Sequence, residues 1–284
     1  MTARASIAYG FWRYGAGDLD LALRMMGDAR EAGVTHFDTA DVYGGDSGFG
    51  AAETLLGEVR KTAPSLFNGA ELATKVGVEI GTPYNSSRDY IRNAVDASLR
   101  RLGAERIDLL YIHRADLLAH PEEVASALDA AVTEGKAAAV GVSNYAPAQV
   151  EALCAYLNAP AAAQQVEFSV LHPAPLFDGT IDQAMARKIP LYAWSPLAGG
   201  RIFSGAAGAA LRVRPLLEKL AGQKETSVDA IALAFILRHP ARVTPIIGTK
   251  NPARLAGAIA ARGVELTRAE WYRILEASLG RGMP

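Results

Sequence analysis

Eight short apolar runs, each followed by a longer stretch with helical periodicity, recur from one end of this 284-residue chain to the other. They lie at 6–9 (SIAY), 35–38 (THFD), 71–75 (ELATK), 108–113 (DLLYIH), 138–143 (AAVGVS), 163–168 (AQQVEF), 190–195 (PLYAWS) and 243–248 (VTPIIG). Strands that read as near-continuous apolar runs belong in a parallel sheet covered by helices, and eight strand–helix units are what closes such a sheet into a barrel. The expected fold is therefore α/β: one (β/α)8 TIM barrel domain spanning 1–284, with an extra carboxy-terminal helix at 267–278 (TRAEWYRILEAS). A doubly wound open sheet competes with it. That fold binds dinucleotides on a G-x-G-x-x-G turn after a strand, and here Gly15-x-Gly17 lacks the third glycine.

The intervening stretches carry helix signals at both ends. In 88–103, Ile91, Ala94, Val95, Leu99 and Leu102 share a face and Gly103 can end the helix in the left-handed conformation. The stretch 121–135 opens with Pro121 and two acids and ends at Gly135, and 21–33 ends at Gly33 in the same way. The small-residue stretch 199–210 reads as a mobile loop after the seventh strand. No Ser/Gly/Pro tract divides the chain.

Charge narrows the function classes. Lys plus Arg number 29 and Asp plus Glu 30, for a net charge of −1 and no run of five like charges. That gives no electrostatic footprint for nucleic acid or an anionic membrane. A single cysteine, Cys154, rules out a disulfide within the chain and a thiolate metal site, and its helical spacing with Val150, Leu153 and Leu157 puts it in the core. Neither a signal-peptide core nor an apolar stretch of about 18 residues is found, so the expectation is a cytoplasmic protein. No zinc-hydrolase, deaminase or nucleophile-elbow spacing is present, and the expected metal is none.

In a parallel barrel the active face is built at the carboxyl ends of the strands. Those ends carry Asp38 with Tyr43 just beyond, Lys75, His113, Ser143–Asn144 and Trp194–Ser195. A phenol of pKa about 10 is a reluctant donor near neutrality; an adjacent ammonium favours the phenolate, and a carboxylate holds the ammonium charged and oriented. An imidazole can hold a carbonyl oxygen by hydrogen bond. Asp38, Tyr43, Lys75 and His113 thus suit protonation of a carbonyl oxygen while hydride reaches its carbon, and they supply neither a nucleophile nor a metal site. Asp41 reads as a turn or cap residue and Arg114 as a loop brace. His36, His172 and His239 read as structural, and His120 as a surface loop residue.

With FDTADVYGG (37–45), ETLLG (53–57), LATKVG (72–77), LLYIHRAD (109–116), GVSNY (141–145), QQVEFS (164–169), WSPLAGGR (194–201) and PIIGTKNPARL (245–255) in this order, the chain resembles the aldo-keto reductase superfamily, its short bacterial members in particular. The resemblance covers essentially the whole length. It implies that Asp38, Tyr43, Lys75 and His113 form the catalytic tetrad with Tyr43 as general acid, acting on a small-molecule carbonyl substrate held by Trp12, Tyr43 and His113. It implies a nicotinamide cofactor on Asp38, Ser143, Asn144 and Gln165, with Trp194 stacked on the ring and Phe11 and Trp12 beside it. Ser195, Leu197, Gly199 and Arg201 would meet the pyrophosphate, and Gly248, Thr249, Lys250 and Arg254 the adenosine phosphate. Gly248 stands where many members have lysine, which leaves the 2′-phosphate of NADPH to Lys250 and Arg254. NADPH is favoured with NADH possible, and a monomer is the family default. Two other readings stay open: a cofactor-binding, redox-sensing regulatory barrel, and an NAD(P)-dependent sugar (aldose) dehydrogenase.

Overall fold

The computed structural model describes residues 7–204 and 208–284. Ser6, expected to open the first strand, and Gly205–Ala207 of the small-residue stretch lie outside the described residues.

In chain order the elements are β1 (Ala8–Gly10), α1 (Leu19–Glu31), β2 (His36–Asp38), α2 (Ala51–Thr62), β3 (Glu71–Val76), α3 (Arg88–Leu102), β4 (Ile107–Ile112), α4 (Pro121–Thr133), β5 (Ala137–Ser143), α5 (Pro147–Cys154) and β6 (Ala163–Glu167). They continue with α6 (Thr180–Arg187), β7 (Leu191–Trp194), α7 (Arg201–Ser204), α8 (Ala209–Gln223), α9 (Val228–Leu237), β8 (Thr244–Ile247), α10 (Pro252–Ala260) and α11 (Arg268–Leu279). The strands close in sequence order into an eight-stranded barrel, and the registers seen are parallel. Each expected strand is present, and α11 is the extra helix. The chain groups into two compact units: residues 8–165, and residues 166–284 together with Ile7.

In the first unit the helix punctuation acts as its residues dictate. Ser87 accepts from the Tyr90 amide to start α3, and Gly103 (φ 57°) ends it in the left-handed region. Ile91, Val95 and Leu102 are fully buried, whereas Ala94 and Leu99 sit at the edge of that face. His120 is exposed in the loop before α4, as expected, and its ring Nδ1 also accepts from the Glu122 amide, capping the helix ahead of Pro121. Cys154 is half-buried at the end of α5 instead of being in the core, where Val150 and Leu153 are found.

In the second unit Phe168, Leu191, Leu217, Ile231, Phe235 and Ile274 form the centre of an apolar cluster, and Trp271 stacks on Phe235 at 4.8 Å. Thr267 and Glu270 cap α11 reciprocally. The start of the small-residue stretch is ordered into a turn and α7, which the reading of a loop did not anticipate. Among the described residues no helix is long and apolar enough to cross a membrane.

Gly57 shows how closely the helices of the first unit pack. A Cβ there would lie 2.2 Å from the backbone carbonyl oxygen of Arg101. Gly57→Ala should therefore lower the unfolding free energy by about 1–3 kcal/mol through overpacking. Helix propensity alone would raise it by roughly 1 kcal/mol. The denaturant midpoint decides between the two signs, and a stabilised variant would show that α2 and α3 can part freely.

Candidate active site

β2 and β3 lie side by side with Asp38 opposite Ala73, which brings Asp38 and Lys75 together at the carboxyl ends of their strands. The Lys75 ammonium donates to both Asp38 oxygens at 2.8 and 2.7 Å and to the Thr39 carbonyl at 2.8 Å. The Lys75 side chain is 0 % exposed and that of Asp38 5 %. Two charges so deeply buried persist only when each is matched and hydrogen-bonded. Burial alone would lower the Lys75 pKa, but the Asp38 carboxylate and then Tyr43 outweigh it and raise it. Lys75 is a fixed ammonium.

Tyr43 enters from the turn after β2, its hydroxyl 3.4 Å from Lys75 Nζ. Burial raises the phenol pKa; Lys75 opposes that rise and Asp38 adds to it, and the net direction is upward. From the sequence the ammonium is expected to bring the phenol below its free value. In the structure burial wins, so Tyr43 carries its proton at neutral pH beside the Lys75 ammonium.

His113 follows β4, with its amide bonded to the Val76 carbonyl at 2.8 Å and its ring edge-on to Tyr43 at 5.6 Å and 81°. Burial first, then Lys75 and Arg114, hold its pKa well below the ordinary imidazole value. The imidazole is neutral, and its buried Nδ1 has no hydrogen-bond partner among the described residues. All four sequence-selected residues therefore meet at one place in the first unit.

The polar residues after β5 and on β6 complete this site. Asn144, at φ 58°, donates to the His113 carbonyl at 3.0 Å and to Ser143 Oγ at 2.9 Å. Gln165 donates Nε2 to Asp38 Oδ1 at 2.8 Å, so it also holds the carboxylate, and its Oε1 remains as an acceptor. Trp12 is 55 % exposed with the Arg13 guanidinium 4.8 Å from its ring. Phe11 departs from expectation. It is fully buried between Tyr9, Tyr14 and Phe37, and only its amide, bonded to the Asp38 carbonyl at 2.8 Å, touches the site. Its side chain is core, with no surface to offer a cofactor.

Asp41 is wholly buried, and neither carboxyl oxygen forms a well-shaped hydrogen bond among the described residues. It closes the turn through its backbone, its carbonyl accepting from the Gly50 amide at 2.7 Å. Burial and then Glu53 push its carboxyl pKa well up, against Arg101. Glu53, buried on α2, had no role in the sequence reading; a lone acid among Leu55 and Leu56 on a helix face is the signal that could have marked it.

The second unit holds the remaining predicted residues. After β7 the backbone turns through Ser195, Ala198, Gly199 and Gly200, all at positive φ (47°, 51°, 67° and 96°). The Ala198 and Gly200 amides bond within this turn, and Cβ atoms at Gly199 or Gly200 would meet nothing within 4 Å. With no side chains at Gly199 and Gly200, the space beside this turn is open. Trp194, Ser195 and Leu197 are half-buried there, and Arg201 is exposed, 3.8 Å from Glu167. Beyond β8, Gly248, Thr249 and Lys250 are half-buried and Arg254 is exposed, its guanidinium 5.7 Å from the Phe203 ring. Asn251 caps α10, accepting from the Ala253 and Arg254 amides. Those two amides are thereby taken up by the cap.

A model of the Aldo/keto reductase family matches residues 6–278. The chain is 42 % identical to a 6-dehydroglucose reductase of Novosphingobium aromaticivorans, over 99 % of this chain and 94 % of that one. It is 35 % identical to a 6-dehydroglucose reductase of Agrobacterium fabrum, over 97 % and 94 % of the two chains. Among solved structures, a thermostable aldo-keto reductase in complex with the inhibitor epalrestat superposes with a TM-score of 0.82 at 22 % identity, covering 96 % of this chain and 95 % of that one.

The neutral state of His113 has a measurable sign. In the unfolded chain an imidazole takes up a proton near pH 6.5. The folded site resists this, so stability is fully present above that pH and is lost as pH falls toward the lower folded pKa. His113→Asn removes this proton linkage. Its melting temperature should decline less steeply below pH 6.5 than that of the unmodified protein; parallel declines would mean that His113 is already protonated when folded.

Proposed function

The chain belongs to the aldo/keto reductase family and is an oxidoreductase; on that premise we propose that it reduces the carbonyl group of sugar-derived substrates with NADPH, with Tyr43 as general acid. The observation that carries this reading is the Lys75 ammonium, locked on Asp38 and 3.4 Å from the Tyr43 hydroxyl. A buried phenol that still holds its proton, beside a fixed positive charge that favours its anion, is a donor built to act once. The sugar class follows from the two relatives named 6-dehydroglucose reductase.

The donor set fits a nicotinamide dinucleotide. In the first unit Gln165 and Asn144 offer amide groups suited to a carboxamide beside Ser143, and in the second unit Trp194 offers an indole face suited to stacking on a planar ring. The open turn at Ser195, Leu197 and Gly199 suits the pyrophosphate, with Arg201 next to it. Gly248, Thr249, Lys250 and Arg254 take the adenosine phosphate. When bound, the reduced cofactor supplies a hydride to the carbonyl carbon. The chain's own part is the other half of the reaction. Neutral His113 holds the carbonyl oxygen, Tyr43 gives that oxygen its proton as charge develops, and Lys75 stabilises the resulting phenolate while Asp38 and Gln165 keep Lys75 in place.

Two substitutions test the assignment with a sugar aldehyde and either cofactor. Tyr43→Phe should reduce kcat at least about a hundredfold, with cofactor affinity little changed. Retention of half the unmodified kcat in a chemistry-limited assay would remove Tyr43 from the acid role. Arg254→Ala should weaken NADPH binding by roughly 10- to 150-fold, the value of a charge-assisted hydrogen bond, and barely affect NADH. Equal losses for both cofactors would show that Arg254 does not read the 2′-phosphate.

A further inference from the structure

Behind the tetrad, on the helix side of β3, lies a second ion pair, with Glu53 buried and Arg101 half-buried. Glu53 of α2 accepts from Thr74 Oγ1 at 2.5 Å and from Arg101 Nε of α3 at 2.7 Å. Arg101 Nη2 lies 2.7 Å from the same Glu53 oxygen and donates to Ser98 Oγ at 3.2 Å. Thr74 directly precedes Lys75 on β3, so Glu53 grips the strand at the residue before the ammonium.

The other end of the pair presses on the turn that carries Tyr43. The Gly50 amide bonds to the Asp41 carbonyl at 2.7 Å, and the Ala52 amide to the Tyr43 carbonyl at 3.1 Å. Gly50 sits at φ 84°, and the Arg101 side chain covers it so closely that a Cβ would come within 2.6 Å of Arg101 Cδ and 2.8 Å of Nε. The Phe49 ring lies 5.7 Å from the same guanidinium. One ion pair thus holds both the strand of Lys75 and the turn of Tyr43.

We propose that Glu53 and Arg101 are positioning residues that set the distance between the Tyr43 hydroxyl and the Lys75 ammonium. The inference rests on the proposed role of Tyr43 as acid. A buried ion pair is poor evidence for stability as such, since apolar replacements of similar volume are often neutral. Its value here is geometric: reacting groups displaced by about 1 Å can cost on the order of a hundredfold in rate. The charged and titratable groups around Tyr43 are chiefly Lys75, Asp38 and Arg114, with the His113 ring edge-on to it and buried Asp41 two residues before it on the same turn. The contacts of Arg101 are with Glu53, Ser98 and the Gly50 end of that turn, so its route to the phenol runs through position.

The test compares Arg101→Met, Arg101→Lys and Tyr43→Phe with the unmodified full chain. It reads melting temperature, NADPH affinity by protein fluorescence, kcat, and the pH dependence of kcat/KM. Arg101→Met should lower kcat by about ten- to a hundredfold with NADPH affinity unchanged. The apparent pKa of the acid should rise as Tyr43 leaves Lys75. Arg101→Lys, which keeps the charge but loses the planar fork, should show a smaller change of the same sign in both quantities. It carries the test if the methionine variant does not fold. Folded Arg101 variants with unmodified kcat and acid pKa overturn the inference, as does a loss of kcat with no movement of that pKa. If Tyr43→Phe is inactive while the Arg101 variants are unaffected, this inference alone falls. If Tyr43→Phe is fully active, the proposed function falls and takes the inference with it.

Discussion

A lysine ammonium inside a closed β-barrel must be answered on every side, and that requirement organises this molecule. Lys75 has no solvent exposure, and its hydrogens are directed to Asp38, to the Thr39 carbonyl and toward Tyr43. Removing Asp38 would leave a buried charge unmatched, at a cost of about 3–5 kcal/mol. Asp38 in turn is held by Gln165 from β6, and the backbone of Phe11 from β1 bonds to the carbonyl of the same aspartate. Four strands therefore meet around one ion pair, and Tyr43 and His113 are placed beside it.

The electrostatics differ from a simple picture in which a nearby cation makes tyrosine acidic. Burial raises the phenol pKa more than Lys75 lowers it, and the same burial, with the same lysine, keeps His113 neutral. The resting site thus holds a protonated phenol beside a neutral imidazole. In the proposed reaction the charge of Lys75 would become useful when the proton leaves, because the phenolate would form next to an ammonium that needs no reorganisation.

Most of the fold was legible in the sequence because the strands are short, apolar and separated by helices with glycine stops, as at Gly103 and Gly135. The tetrad was legible because barrel topology places strand ends together, so Asp38, Lys75 and His113 could be paired without knowing side-chain directions. Where side-chain direction decides, the sequence was silent. Phe11 looks like a loop aromatic and is core. His120 is the surface residue it looks like, and its capping of α4 depends on a ring direction that the sequence does not give. Glu53 and Arg101 are 48 residues apart, and only the packing of α2 on α3 joins them.

The account rests on Lys75 acting on the Tyr43 proton, and the pH dependence of kcat/KM for Lys75→Met against the unmodified protein tests this most directly. With the ammonium gone, burial and Asp38 both act to raise the phenol pKa. The predicted result is a steep fall in kcat/KM together with an acid pKa displaced to higher pH. A folded variant whose acid pKa stays at the unmodified value would contradict the account, whatever its activity.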